Sequence, residues 1–194
     1  MTSDSSLNIS QTIVLVGLMG AGKTCIGSRL AERLGLPFVD ADSEIEKAAG
    51  CTIPDIFELY GETAFRDGER RVIARLLKGP KQVLATGGGA FMDTETRQLI
   101  KKCAVSVWLR ADLDLLLSRT MRRNDRPLLK NANRRETLER LIAERHPVYA
   151  DADVVVDSAR ESPDVTVDRM IEAVRSFLES EKNVTTEKTT ETAT

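Results

Sequence analysis

Cysteine is scarce in this sequence. The three cysteines, Cys25, Cys51 and Cys103, are far apart and form no Cys-x-x-Cys pair, so neither a zinc site nor a redox motif is predicted. An odd number of cysteines without a framework is typical of a reducing compartment, and we expect a cytoplasmic protein. We interpret each cysteine as a small buried apolar residue rather than as a nucleophile.

Long apolar runs and a strong charge imbalance are also missing. No stretch is long enough to span a bilayer, and the opening MTSDSSLNIS has neither a cationic start nor an apolar segment, so we expect no secretory signal. The 28 Lys and Arg residues nearly balance the 30 Asp and Glu residues, giving a net charge of −2. Neither nucleic acid nor a membrane is therefore an expected partner.

Short apolar runs alternate with helical patterns along the 194 residues. The runs predicted as strands are 12–16, 38–40, 83–86, 105–109 and 153–156. Unbroken apolar strands that alternate with helices are typical of a parallel sheet covered on both faces, so we predict one α/β domain over 11–179. Residues 1–10 are interpreted as a polar arm, and 180–194, rich in Thr, Glu and Lys, as a disordered tail.

A phosphate-binding motif follows the first predicted strand. The segment GLMGAGKT, residues 17–24, matches G-x-x-x-x-G-K-[ST] between a strand and a helix. Its backbone N–H groups and the helix N-terminus suit a polyphosphate. Lys23 would reach the β- and γ-phosphates, and the Thr24 hydroxyl would bind Mg²⁺. The residues assigned to ATP in this segment are Gly17, Gly20, Ala21, Gly22, Lys23, Thr24 and Cys25.

Nucleotide binding leaves two classes of protein open, a small-molecule kinase and a nucleotide-driven switch or motor. Switches and motors usually need partner surfaces or extra domains, for which this chain has little spare length. The basic loop over residues 122–133 suits a kinase lid that closes over the phosphates and excludes water. Within it Arg126 precedes Pro127, and a cation there suits neutralisation of transition-state charge.

Two acidic residues, Asp40 and Asp42, follow the second predicted strand in FVDADSEI. Open α/β sheets place ligands at the carboxyl ends of their strands. One carboxylate could hold Mg²⁺ and the other could accept a proton from a substrate hydroxyl. Helix capping by Asp42 or Ser43 accounts for the residues equally well, so both interpretations stay open.

Three consecutive glycines, Gly87, Gly88 and Gly89, end the third predicted strand in VLATGGGAF. Such a run costs backbone entropy. We favour a ligand that approaches the main chain closely over an unstructured turn, because the glycines again lie at the carboxyl end of a strand.

Two arginines are candidates for binding an anionic substrate. Arg66 and Glu69 share a helix face, either as a solvated ion pair, the commoner case, or as a guanidinium fork aimed at a substrate carboxylate. Arg145 lies just before Pro147, where we expect the helix to kink or end. It is therefore either turned into a cleft or a surface residue. His146, the only histidine, is given no catalytic role.

Taken in order, these motifs resemble those of the shikimate kinases: P-loop, D-x-D, F-R-x-x-E, G-G-G, R-P-L and R-x-P-x-Y over roughly residues 11–160. The resemblance implies a three-layer P-loop NTPase fold whose five-stranded parallel sheet has the order 2-3-1-4-5. It also implies a substrate-binding insertion at about 41–71 and a lid at about 120–134. The implied reaction transfers the γ-phosphate of ATP to the 3-hydroxyl of shikimate, in the pathway to chorismate and the aromatic amino acids, and we expect a monomer.

The resemblance also implies roles for individual residues. Asp42 would contact the shikimate hydroxyls, Arg66 and Arg145 would bind the carboxylate, and the Gly88 backbone would complete the pocket with Gly87 and Gly89 beside it. The other implied roles are Thr24 and Asp40 for Mg²⁺, Lys23 and Arg126 for the transferred phosphate, Arg119 near the adenine, and Phe57, Phe65 and Glu69 around the substrate pocket. Asp42 as general base is a hypothesis, and Lys23, Asp42 and Arg126 form the expected catalytic set.

Two alternatives accompany this prediction. Another small-molecule kinase, for gluconate or a nucleoside monophosphate, would share the P-loop and lid. A nucleotide-binding regulator without acceptor chemistry usually lacks the substrate arginines or the P-loop lysine, whereas this sequence keeps them.

Overall fold

A five-stranded parallel sheet forms the centre of the computed structural model, which describes residues 9, 11–121 and 133–191, with side chains as far as 183. The strands are β1 Thr12–Val16, β2 Phe38–Asp40, β3 Val83–Ala85, β4 Ala104–Arg110 and β5 Val154–Asp157. Their order is β2-β3-β1-β4-β5. The predicted strand positions and sheet order are confirmed.

The strands are paired so that their carboxyl ends lie along one edge. Val14 of the central strand pairs with Leu84 of β3 and Ser106 of β4. All five residues of β1 are buried, as expected for a strand covered on both faces. The segments that follow β1, β2 and β3 therefore emerge side by side, and these segments carry the predicted phosphate loop, the two aspartates and the triple glycine.

Seven α-helices and one 3₁₀-helix surround the sheet in the described part of the chain. They are α1 Lys23–Leu34, α2 Ala41–Ala49, α3 Ile53–Leu77, the 3₁₀-helix Ala90–Met92, α4 Thr94–Cys103, α5 Leu113–Thr120, α6 Arg134–Tyr149 and α7 Pro163–Glu191. Helices α1 and α7 lie together, joined by Arg29 to Asp164 at 2.8 Å and Arg33 to Asp168 at 2.9 Å. None of these helices is both long and apolar enough to cross a membrane.

The predicted substrate-binding insertion corresponds to α2 and the first part of α3. These helices have a small core of their own, formed by Ile45, Ile56, Phe65 and Val72. Helix α3 is interrupted at Gly61, where φ is 79° and ψ is 174°, a backbone conformation that glycine adopts readily. The insertion thus has a hydrophobic cluster separate from the main core. Its role in binding substrate stays a prediction.

The two ends of the domain differ from the sequence prediction. Helix α7 continues to Glu191, where disorder was expected from residue 180. This segment can bury little, but no Gly or Pro follows Pro163 to end the helix, and its Glu and Lys residues favour helix. At the other end, Ile9 of the expected polar arm is 6% exposed and packs in the main core.

Candidate active site

The loop between β1 and α1 forms the predicted phosphate cradle. Gly17 has φ +138°, and a Cβ there would lie 2.6 Å from the carbonyl oxygen of Leu109, so this close approach requires glycine. Lys23, the first residue of α1, donates from Nζ to the carbonyls of Gly17 at 2.7 Å and Leu18 at 3.0 Å. Its ammonium group therefore lies over the loop, at the positive end of the helix.

Two oxygen-bearing side chains, Thr24 and Asp40, meet beside this loop. The Thr24 hydroxyl donates to Asp40 Oδ2 at 2.9 Å. The other carboxylate oxygen of Asp40 accepts from the Asp42 backbone N–H at 3.1 Å, which makes Asp40 the N-cap of α2. Capping therefore belongs to Asp40 and not to Asp42 or Ser43, because α2 begins at Ala41. Asp42 lies in the first helical turn instead.

The paired oxygens of Thr24 and Asp40 fit a hard cation such as Mg²⁺, which prefers oxygen ligands. Over residues 9, 11–121 and 133–191, no three His, Cys, Asp or Glu side chains form a metal-binding group. This sparse ligand set is typical of Mg²⁺ that takes one or two protein oxygens and completes its coordination with phosphate and water.

Each glycine of the triple-glycine loop faces a charged side chain from another element. A Cβ at Gly87 would lie 2.8 Å from Glu69 Oε1 and 2.9 Å from Asp42 Oδ1. A Cβ at Gly89 would lie 2.5 Å from Arg66 Nη1, and one at Gly88 would lie 3.5 Å from Arg145 Nη1. The loop therefore needs glycine at Gly87 and Gly89 so that α2 and α3 can bring their charged groups against the main chain.

The pair formed by Arg66 and Glu69 is not a solvated one. Arg66 Nη1 donates to Glu69 Oε2 at 2.7 Å, and the Glu69 side chain is 4% exposed. The guanidinium also contacts Glu62 Oε1 at 3.2 Å and lies 5.0 Å from the Phe65 ring centroid. The Phe57 ring packs against Phe65 in a tilted arrangement, with 4.7 Å between centroids. These contacts fix the direction of Arg66, whose side chain keeps 29% of its surface exposed.

The carboxyl group of Glu69 is perturbed by its surroundings. Burial raises the pKa of its carboxyl group, Arg66 opposes that rise, and the charge of Asp42 adds to it. Its Oε1 is buried without a hydrogen-bond partner among the described residues. Because a buried oxygen without a partner is costly, this side of the cluster is suited to a ligand that donates a hydrogen bond.

Arg145 lies against the same loop. Its Nη1 donates to the Gly88 carbonyl at 2.7 Å, so the alternative of a surface arginine is wrong. Helix α6 continues through Pro147 to Tyr149, so of the two expected outcomes the helix does not end at the proline, and a kink there stays a prediction. His146 packs edge-on against Trp108 with 4.9 Å between centroids.

A cavity of about 440 Å³ joins the phosphate loop to the triple-glycine loop. One end is lined by Asp40, Asp42, Thr86, Gly87 and Gly88, the middle by Gly20, Gly22, Lys23, Thr24, Cys25 and Ile26, and the other end by Arg119, Thr120, Glu161, Pro163 and Thr166. Asp42, Gly87 and Gly88 thus share one space with the phosphate loop. Arg66, Gly89 and Arg145 are not among the residues that line it.

Arg119 braces the far end of the cavity. Its Nη1 donates to the Ala21 carbonyl at 2.9 Å and to Ser158 Oγ at 2.9 Å, and Nη2 donates to the Ala159 carbonyl at 3.3 Å. It therefore ties the phosphate loop to the segment after β5. Glu161, Pro163 and Thr166 also line this end, and the sequence predicts no side-chain role for them.

The cysteines are more accessible than the sequence predicts. Cys25 is exposed, and Cys51 and Cys103 are partly exposed, so the expectation of buried apolar cysteines is wrong. Cys25 lies in the first turn of α1, which faces the cavity.

Arg126 and most of the predicted lid lie outside the described residues, and their roles stay predictions.

The family model for shikimate kinase matches residues 19–175. The chain belongs to the shikimate kinase family. It is 59% identical to the shikimate kinase of Paramagnetospirillum magneticum over 91% of this chain and 90% of that protein. It is 55% identical to the shikimate kinase of Rhodopseudomonas palustris, over 86% and 82% of the two chains.

Solved structures agree with this membership. The shikimate kinase from Acinetobacter baumannii in complex with shikimate has a TM-score of 0.83 and 39% identity, covering 86% of this chain and 93% of that one. A gluconokinase from Sinorhizobium meliloti, at 18% identity and a TM-score of 0.58, is similar in fold alone. The predicted shikimate kinase family and the three-layer kinase fold are confirmed.

Proposed function

We propose that this chain transfers the γ-phosphate of ATP to the 3-hydroxyl of shikimate, giving shikimate 3-phosphate and ADP. The observation that carries the proposal is the triple-glycine loop, where missing Cβ atoms bring Asp42, Glu69 and Arg66 against the main chain. The same loop lines one cavity with Lys23 and Thr24. An anionic donor and an anionic acceptor can therefore meet there.

Shikimate binding is assigned to the triple-glycine side of the cavity. The acceptor is a small carboxylate with three hydroxyls, so it needs a cationic site and hydrogen-bonding groups. Arg66 and Arg145 supply the guanidinium groups for the carboxylate, and Asp42 with the backbone of Gly87, Gly88 and Gly89 supplies partners for the hydroxyls. The buried Oε1 of Glu69 is a further acceptor within this cluster.

ATP binding is assigned to the phosphate loop and the far end of the cavity. The backbone N–H groups of Gly17–Thr24 and the Lys23 ammonium bind phosphate oxygens, and Arg119 lies on the base side. Thr24 and Asp40 would hold Mg²⁺, which would neutralise charge on the β- and γ-phosphates. Catalysis then consists of positioning and charge stabilisation, with Arg126 assigned to the transferred phosphate.

The test is ADP formation with shikimate, gluconate and AMP offered separately as acceptors. We expect ADP to form at an appreciable rate only with shikimate. Activity with gluconate or AMP and none with shikimate would overturn the assignment, and slow hydrolysis that no acceptor accelerates would favour the nucleotide-binding regulator.

Asp42 is proposed as the group that receives the hydroxyl proton. The variant Asp42→Asn keeps the shape of the side chain while removing its basicity, so kcat at saturating shikimate should fall. An unchanged kcat would remove the base role while leaving the kinase assignment intact. The monomeric state and the cytoplasmic location stay predictions, the first of which light scattering on the purified protein would test.

A further inference from the structure

Tyr149, at the end of α6, has no exposed surface and does not line the cavity. Its hydroxyl donates to the Gly88 carbonyl. The carbonyl oxygen of Gly88 also accepts a hydrogen bond from Arg145 Nη1 at 2.7 Å. Since Arg145 and Tyr149 are four residues apart, they lie on one helix face, and both donors converge on a single carbonyl of the triple-glycine loop.

The Tyr149 ring is held in place by aromatic neighbours. Trp108 and Phe91 lie at centroid distances of 5.8 Å and 6.4 Å, and His146 lies at 6.3 Å. Burial raises the pKa of the Tyr149 hydroxyl to about 12, so this group remains a protonated donor at physiological pH. Deprotonation therefore does not break the hydrogen bond to Gly88 at physiological pH.

Arg145 has a proposed role in binding substrate in addition to its hydrogen bond to Gly88, whereas Tyr149 has only the hydrogen bond. Under the proposed function it binds the shikimate carboxylate, yet its Nη1 is engaged by the Gly88 carbonyl in this structure. Turning that donor toward a substrate weakens its bond to the carbonyl. A backbone carbonyl left without a donor opposes any such movement, and the Tyr149 hydroxyl keeps this carbonyl paired.

We propose that Tyr149 is a positioning residue for shikimate, which holds the Gly88 carbonyl so that Arg145 can exchange that carbonyl for the substrate carboxylate. The inference rests on the proposed function and deepens it. Tyr149 does not touch the substrate in this scheme; it acts through Gly88 and Arg145.

The variant Tyr149→Phe removes the hydroxyl and keeps the buried ring. We expect the KM for shikimate to rise about tenfold, equivalent to about 1.4 kcal/mol. The kcat and the KM for ATP should stay unchanged, because the carboxylate contact is equally present before and during transfer. Tyr60→Phe is the matched control, since the other tyrosine is 66% exposed, and it should change neither constant.

A merely structural role gives a different result. If Tyr149→Phe lowers the melting temperature and leaves the KM for shikimate unchanged, the proposal is overturned. Wild-type protein that forms no ADP with shikimate overturns the proposed function itself, so the two failures are distinguishable.

A double-mutant cycle tests whether Tyr149 acts through Arg145. In Arg145→Ala no guanidinium exchanges partners, so adding Tyr149→Phe should not raise the KM for shikimate further. A second tenfold rise in the double variant would contradict the mechanism.

A measurement that keeps Tyr149 covers the case in which Tyr149→Phe does not fold. The sequence has two tyrosines, so Tyr60→Phe protein grown with 3-fluorotyrosine carries one fluorine label, at Tyr149. We expect its ¹⁹F resonance to shift when shikimate is added and to stay in place with ATP alone. A resonance that shikimate does not move overturns the proposal.

Discussion

Gly89→Ala should displace Arg66, the arginine proposed to bind the substrate carboxylate, without disturbing the fold. Gly89 has φ −106° and ψ −15°, outside the left-handed region that favours glycine, so alanine can adopt this backbone conformation. The added Cβ would lie 2.5 Å from Arg66 Nη1 and 2.8 Å from Arg66 Cζ. The guanidinium must therefore move by about 0.9 Å to reach an ordinary contact of 3.4 Å, and the end of an arginine side chain can make that movement.

The movement weakens the contact that directs Arg66 into the site. Its Nη1 lies 2.7 Å from Glu69 Oε2, and a displaced guanidinium loses both this geometry and its aim at the substrate carboxylate. A hydrogen bond to a charged group contributes about 1.5–3 kcal/mol, so we expect the KM for shikimate to rise about 10–100-fold. The kcat should change less, because the carboxylate contact is made before and during transfer.

The assay is ADP formation at varied shikimate and saturating ATP, with Gly68→Ala as the matched control. Gly68 lies in α3, where a new Cβ meets no atom within 4 Å. This control should leave the KM unchanged and raise stability by up to about 1 kcal/mol, the helix propensity difference between Gly and Ala. Equal KM values in Gly89→Ala and Gly68→Ala would refute the reasoning.

Three further predictions concern the core, the pH dependence and the metal. In Gly27→Ala the new Cβ would lie 2.7 Å from the Phe38 ring and 2.9 Å from the Leu15 side chain, so urea denaturation should show a loss of about 1–3 kcal/mol. Burial lowers the pKa of His146 below its usual 6.5, so between the lowered pKa and pH 6.5 the unfolded chain binds this proton more readily than the folded chain does. The melting temperature should therefore fall as the pH drops from 6.5 through the lowered pKa. The fall should be smaller in His146→Gln. Thr24→Val should raise the Mg²⁺ concentration needed for half-maximal activity about 10–100-fold, while Thr24→Ser, which keeps the hydroxyl, should not; equal requirements in both variants would exclude Thr24 as a ligand.

The fold was predictable because its signals are local. Each β-strand is a short apolar run that the sequence shows directly, whereas the strand order was implied only by the resemblance to the shikimate kinases. The end of α7 was predicted wrongly because the Thr-, Glu- and Lys-rich segment buries little, whereas its structure as a helix to Glu191 depends on backbone propensity and on continuity with a packed helix.

The site was predictable only where a residue's type shows its chemistry. A lysine and closely spaced glycines between a strand and a helix suit few roles besides binding phosphate, so the position of Lys23 in the cavity followed from the sequence. Which aspartate caps α2 depends on where that helix begins, a detail of one residue that sequence patterns leave open. Tyr149 was missed as a functional candidate because its importance lies in a hydrogen bond to a distant carbonyl.

The cations of this site are held by acceptors of the protein itself. Lys23 donates a hydrogen bond to the carbonyl of Gly17, Arg66 donates to the Glu69 carboxylate, and Arg145 donates to the carbonyl of Gly88. Binding of an anion therefore exchanges one acceptor for another, so each contact adds less to affinity than its gross strength. The groups that hold these cations thus influence substrate binding without touching the substrate, because they determine how easily each cation changes partner. Glu69 is the one side-chain acceptor of these three, so Glu69→Gln should alter the KM for shikimate and leave the KM for ATP unchanged.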